Sequence, residues 1–172
     1  LGAGVPFMRP PELSGDEILH TPVVTHAVEW LAEHDGYKAD YIVLLQPTSP
    51  LRDSADIDTA VELARTSQAE AVMSVNETHN PLMLRTLNSA GALHAYGNLS
   101  GEPGASGSRR QTVPPIYFIN GAIYIVKTEI LLTQGTISPP QPIAYLMPRC
   151  RSLQIDDHLD LKLADYLLRG GI

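Results

Sequence analysis

The chain has 172 residues, the length of one domain of ordinary size and too short for two full catalytic domains. Its 44% hydrophobic content, with 13 Gly and 14 Pro, excludes wholesale disorder and low-complexity sequence. Twelve Lys+Arg against 19 Asp+Glu give a formal charge of −7, the wrong sign for a domain that lives on nucleic-acid backbone, and no apolar run approaches the ~20 residues that cross a bilayer. The expectation is a soluble protein with neither nucleic-acid nor membrane partners. A single cysteine, Cys150, cannot close an intrachain disulfide, which points to the reducing cytoplasm.

In chain order, residues 21–34 read as a helix, with Thr21 as cap, Pro22 at the first helical position, and Val24, Ala27, Val28 and Leu31 on one face. The apolar run at residues 41–45 has the pattern of a strand buried on both faces of a parallel sheet. It stops at Gln46-Pro47-Thr48-Ser49-Pro50-Leu51-Arg52. Ser54 then opens a second helix with Ile57, Ala60, Val61 and Ala64 inward, and residues 71–75 form the next strand, at the spacing of a crossover unit. Residues 76–115 break this rhythm with a glycine-rich, Ser/Arg-containing tract that reads as an irregular or β-rich insertion. Regular structure resumes at Asn120-Gly121 with a strand over 122–126, a short helix over 128–133, and strands over 143–146 and 152–155. A last helix runs from the Asp156-Asp157 cap to Gly170, with Leu159, Leu163, Ala164 and Leu167 inward. The expected architecture is α/β and mostly parallel, with residues 1–75 and 116–172 in one domain and 76–115 inserted.

In open α/β sheets ligands bind beyond the carboxyl ends of the strands, so the segments that follow strands are the candidates. Residues 46–52 offer an amide, two hydroxyls and a guanidinium on a backbone stiffened by two prolines; the alternative is a rigid turn whose Thr48 and Ser49 only cap the next helix. On a strand through residues 152–155, Gln154 and Asp156 share a face, where Asp156 offers a ligand to a hard cation while Asp157 caps; the alternative is that both only cap. Asp160 reads as solvent-facing. Arg109-Arg110-Gln111 suits an anionic substrate through its guanidinium forks, or is a solvated loop, and Tyr124 is either a ligand contact or plain core.

Taken together, Leu44-Leu45-Gln46-Pro47-Thr48-Ser49-Pro50-Leu51-Arg52, Asn120-Gly121-Ala122-Ile123-Tyr124 and Ile155-Asp156-Asp157, preceded by Arg9-Pro10-Pro11-Glu12-Leu13 and Asp16, resemble the acylneuraminate cytidylyltransferase family, the CMP-sialic acid synthetases. The resemblance spans essentially the whole chain. It implies a three-layer, mostly parallel nucleotide-diphospho-sugar transferase-like sheet with a β-rich dimerisation insertion at residues 76–115. It also implies an enzyme, a nucleotidyltransferase that condenses CTP with a nonulosonic (sialic-type) acid to a CMP-sugar and pyrophosphate, with Mg²⁺ and arginines meeting the charge that grows on the phosphate oxygens.

Position by position, the resemblance implies Asp156 as metal ligand and catalytic residue, and Arg110 as a catalytic residue that pairs with the sugar carboxylate or a phosphate in the neighbouring subunit's site. It implies Arg9 at the nucleotide, Gln46 and Tyr124 at the sugar, and Thr48, Ser49, Arg52 and Asn120 as further substrate contacts. A cytoplasmic homodimer follows.

There are also departures. The family opens with a strand and a basic Gly/Ser-containing loop around the CTP phosphates, which this sequence does not contain. A protein truly starting at Leu1 is therefore expected to bind CTP poorly and to serve as a non-catalytic binding or assembly module. Gln154 stands where the family usually places a carboxylate, which weakens the expected metal site. Phe118 and Met83 replace basic residues of some relatives, which leaves the sugar open among sialic, legionaminic, pseudaminic and, ranked lower, 3-deoxy-manno-octulosonic acids.

Overall fold

Short unbroken apolar runs become strands here, and apolar residues recurring every three or four positions become helices. The computed structural model describes residues 2–78, 84–96 and 115–170. Within them lie α1 (His20–His34), β1 (Tyr41–Leu44), α2 (Ser54–Ser67), β2 (Ala71–Glu77), β3 (Arg85–Leu87), β4 (Leu93–Ala95), β5 (Tyr117–Lys127), α3 (Thr128–Gln134), β6 (Ile143–Leu146) and α4 (His158–Leu168).

The main sheet has the order β1-β5-β2-β6. β5 runs antiparallel to both β1 and β2, and only β2 and β6 pair in parallel. The sheet is therefore mixed, which corrects the mostly parallel expectation. The cause is β5, whose eleven residues return from the long excursion after β2 and wedge between β2 and β1 in the reverse direction.

Three layers form as expected. On one face of the sheet, Ala60 and Ala64 of α2 pack against Val72, Ile123 and Ile125, their small side chains letting the helix approach closely. On the other face, Val24 of α1 and Ile130 and Leu131 of α3 close over Ala71 and Val126. Among the described residues no helix is long and apolar enough to cross a membrane.

Several boundaries differ from the sequence reading because side chains found other partners. α1 starts at His20, so Thr21 lies inside it, and no side chain caps it. Asp53, and not Ser54, caps α2: its carboxylate accepts the Asp56 N–H at 2.9 Å while the Asp56 carboxylate accepts the Asp53 N–H at 3.1 Å. Residues 152–155 form no strand. A 3₁₀ turn at Arg149–Arg151 leads into an irregular segment, so the alternation expected to place Gln154 and Asp156 on one face does not operate.

Asp157 caps α4 as expected, but Asp160 accepts the Asp156 and Asp157 N–H groups at 3.0 and 3.2 Å and is not free in solvent. Of the four residues read as inward on α4, Ala164 is buried whereas Leu159 and Leu163 are exposed. On α2, Val61 is likewise exposed. The described part of the excursion contains a separate antiparallel pair, β3 with β4. Its turn is held by the Asn88 side chain, which accepts the N–H groups of Ala90 and Ala92. At the other end of the chain, Phe7 packs on His26 and Trp30 of α1, with centroids 5.1 and 5.0 Å apart, and Trp30 stacks on His34 at 4.3 Å.

One buried ionic cluster crosses these layers. Asp56, fully buried at the start of α2, accepts two bonds from Arg151, Nε to Oδ2 at 2.9 Å and Nη2 to Oδ1 at 2.8 Å, and a third from the Tyr145 hydroxyl of β6 at 2.8 Å. Burial alone would raise the Asp56 pKa. The bonds from Arg151, the Asp53 backbone and Tyr145 outweigh it and hold the carboxyl down at about 2. Tyr145 is pushed up to about 12 by burial and by the adjacent carboxylate. Arg151 is raised by its bonds to Asp56.

Because the folded-state pKa of Asp56 is depressed, its contribution is fully present above the ordinary carboxylate pKa and is lost as the pH falls from about 4 towards 2. Solvent reaching Arg151 reduces the effect to about 1–2 kcal/mol. Urea midpoints measured across that range are expected to fall steeply in the wild type and to stay flatter in Asp56→Asn, which begins from a lower stability.

Candidate functional site

The site grows from a glycine. Gly121 interrupts β5 with φ +73°, where the register between β2 and β5 shifts between Met73 and Val75. This left-handed backbone favours glycine, and the space above it is the second reason for one. A Cβ on Gly121 would lie 2.5 Å from Gln46 Oε1 and 3.2 Å from Gln154 Oε1. Two primary amides, one from the loop after β1 and one from the segment before α4, thus converge where residue 121 has no side chain.

The three segments are bonded to one another. The Ile155 N–H donates to the Thr48 carbonyl at 2.8 Å. Arg52 Nη1 donates to the carbonyls of Ala122 at 2.7 Å and Gln46 at 3.1 Å. Below them Asn120 is buried and fully used: its Oδ1 accepts from the Ser74 hydroxyl at 2.6 Å and the Ala122 N–H at 3.2 Å, and its Nδ2 donates to the Ser152 hydroxyl at 3.0 Å. Ser152 in turn donates to the Pro148 carbonyl at 2.9 Å. This brings residues 46–52, 120–122 and 152–155 into one unit at the carboxyl end of β1.

Of the residues singled out in the sequence, Gln46, Thr48 and Arg52 belong to this unit, but they serve it differently. Gln46 presents an amide with no side-chain partner among the described residues. Thr48 contributes its carbonyl, and Arg52 spends its guanidinium on backbone carbonyls; burial lowers its pKa, which the Asp56 carboxylate partly offsets. Asn120 is turned into the protein. Ser49 is buried, and its hydroxyl has no partner among the described residues.

Tyr124 stands half-buried on β5 opposite Leu44 and Met73, its pKa raised by burial. Asp156 is exposed beside the α4 cap, and its carboxylate has no partner among the described residues. Arg9 is exposed in the segment before α1, and no bond joins it to the others. Arg110 lies outside the described residues, as do Arg109, Gln111 and Met83.

Sequence reasoning missed Asp56, Arg151 and Tyr145, and used Gly121 only as part of the Asn-Gly motif. The Asp-x-x-Asp spacing of residues 53 and 56 is a capping-box signal, and an isolated glycine in an apolar strand signals a bulge or a close approach. Two depressions flank the sheet. One of about 600 Å³ between β1 and α2, lined by Tyr41, Val43, Val61 and Ile125, holds none of the singled-out residues. The other, about 490 Å³, lies at the carboxyl ends of β2 and β6 between Asn76, Glu77, Tyr117 and Arg149, beside the Pro148 carbonyl that Ser152 holds.

The chain is similar to N-acylneuraminate cytidylyltransferase of Escherichia coli, 31% identical over 160 residues, covering 92% of this chain and 36% of that protein. It is similar to CMP-N,N'-diacetyllegionaminic acid synthase of Legionella pneumophila, 30% identical over 180 residues, covering 97% of this chain and 70% of that protein. The chain belongs to the acylneuraminate cytidylyltransferase family. Pseudaminic acid cytidylyltransferase of Campylobacter jejuni is a further relative, 26% identical over 169 residues and 98% of this chain. The chain spans about a third of the length of the Escherichia coli protein. No protein-family model matches it.

Two substitutions probe the unit. Gly121→Ala is expected to cost about 1 kcal/mol for the left-handed backbone, seen as a lower melting temperature, and to displace the Gln46 amide. Ser49→Ala removes a buried hydroxyl that lacks a partner and is expected to leave the melting temperature unchanged or raise stability by about 1 kcal/mol.

Proposed function

We propose that the chain forms part of the catalytic domain of a cytidylyltransferase that joins CTP to a nonulosonic acid. The observation that carries this reading is the convergence of the family's Gln-Pro-Thr-Ser-Pro loop, its Asn-Gly segment and the residues before Asp156 on one point at the carboxyl end of a strand. That is where α/β sheets bind ligands. The anomeric hydroxyl oxygen of the sugar bonds to the α-phosphorus, the bond to the β-phosphate oxygen breaks, and pyrophosphate leaves while the hydroxyl proton passes to solvent or a base. The acceptor is a nonulosonic acid of the kinds named in the relatives: N-acylneuraminate, diacetyllegionaminate or pseudaminate.

Mg²⁺ is the proposed cofactor, which would neutralise charge on the phosphates. Among the described residues no group of three or more His, Cys, Asp or Glu side chains gathers to hold a metal. An ion bound by substrate phosphates and water would need one or two carboxylates from the protein, and Asp156 offers one, exposed and with no partner among the described residues. Gln46 and Tyr124 would meet the sugar, Arg9 the nucleotide, and Arg110 the sugar carboxylate or a phosphate, in the partner subunit's site. Asn120 and Arg52 would position the loop.

A homodimer is proposed through residues 76–115. It is supported by the separate β3–β4 pair and by Leu87, Leu93 and Tyr96 together with Tyr117 and Phe118 of β5, all exposed. The cytoplasm is the proposed compartment, in keeping with a lone, exposed Cys150.

Pyrophosphate release with CTP and Mg²⁺ is expected for at least one of sialic, legionaminic or pseudaminic acid with the full-length protein, and absence of turnover with all three would remove the assignment. Asp156→Ala is expected to lower turnover by at least about a hundredfold while the far-UV spectrum and melting temperature stay close to wild type, since Asp157 and not Asp156 caps α4.

A further inference from the structure

We propose that Gln154 is a specificity residue that reads the acceptor sugar together with Gln46, taking a neutral hydroxyl or acylamino group and not a metal ion or a phosphate. This rests on the cytidylyltransferase reading above and assigns to Gln154 a contact that neither the sequence nor the relatives assign.

Three observations converge on it. First, the Gln154 amide reaches the space over Gly121 that the Gln46 amide also reaches, and neither side chain has a hydrogen-bond partner among the described residues. Half-buried amides left without partners are an unmet demand for donors and acceptors, which a ligand can supply. Second, the position of Gln154 is set on both sides. The Ile155 N–H is tied to Thr48 at 2.8 Å, Ser152 to Asn120 at 3.0 Å, and Arg151 to buried Asp56 at 2.8 Å. The amide therefore hangs from a fixed backbone, as a group that selects between similar ligands must.

Third, the nearby guanidinium groups are bonded elsewhere. Arg52 is committed to the carbonyls of Gln46 and Ala122, and Arg151 to Asp56. Among the described residues no hydrogen bond joins either guanidinium to the side-chain amide of Gln46 or Gln154. An uncharged amide oxygen is in turn a poorer ligand than a carboxylate for a hard cation. A pair of amides, each with a donor and an acceptor, matches a group with the same dual character, such as a sugar hydroxyl or acylamino group.

The test compares wild type, Gln154→Met and Gln154→Glu in the full-length protein, with KM measured separately for the sugar acid and CTP and half-saturation measured for Mg²⁺. The expected result is a rise of about tenfold in the sugar-acid KM for both variants, with the CTP and Mg²⁺ values within twofold of wild type. An unchanged sugar-acid KM overturns the proposal. So does a Glu variant whose Mg²⁺ half-saturation falls, which would make position 154 a metal ligand. Gln154→Glu keeps the shape of the side chain and carries the test if the Met variant melts early. If the wild type neither turns over nor binds any of the three sugar acids by calorimetry, the functional reading itself falls and this proposal with it. Wild-type turnover with indifferent variants overturns this proposal alone.

Discussion

A carboxylate shut off from water keeps its charge only if several donors reach it, and Asp56 draws three elements together to meet that need. Its own N–H closes the cap with Asp53, so α2 begins there. Tyr145 comes to it from β6, the parallel edge of the sheet, and Arg151 from the turn beyond. Meeting the demand therefore sets where the chain goes after β6. It leaves β6 through Pro148, turns back over the start of α2, and then passes beside the Gln46 loop, with the Ile155 N–H on Thr48. Loss of one donor would be felt well beyond the pair, since a half-satisfied buried cluster is worse than none.

The neutral character of the amide pair follows from the same arrangement. Two arginines lie close to it in the chain, Arg151 bonded to a carboxylate and Arg52 bonded through Nη1 to backbone carbonyls. Both side chains thus help to hold the segments of the site together. In the proposed reaction, Asp156 with a cation, Arg9 and Arg110 would meet the triphosphate. In that proposed reaction, whose two substrates are both anionic, uncharged amides would select the acceptor while more peripheral charges would meet the phosphates.

Much of the fold was legible because burial follows apolar pattern. The runs that open at Tyr41, Ala71 and Ile143 became β1, β2 and β6, and the spacing of Ala60 and Ala64 became the inward face of α2. What was not legible depended on partners distant in sequence. The direction of β5 is settled by what it pairs with, and an apolar run reads the same in either direction. Residues 152–155 alternate well enough to pass for a strand, yet their hydrogen bonds go to the Thr48 carbonyl and the Asn120 side chain and to no strand. At the site, Gln46 was legible from its motif. Gln154 was legible only as a departure from a pattern, because its meaning lies in its distance from Gly121.

The aromatic stack on α1 has a practical side. Trp30 is the one tryptophan of the chain, and it packs against Phe7 and His34. Emission excited selectively from Trp30, apart from the seven tyrosines, therefore watches the seam between the amino-terminal segment and α1. A melting curve followed by that emission reports on that seam. Whether the protein comes apart as a single cooperative body can be decided only by pairing that curve with a probe placed elsewhere.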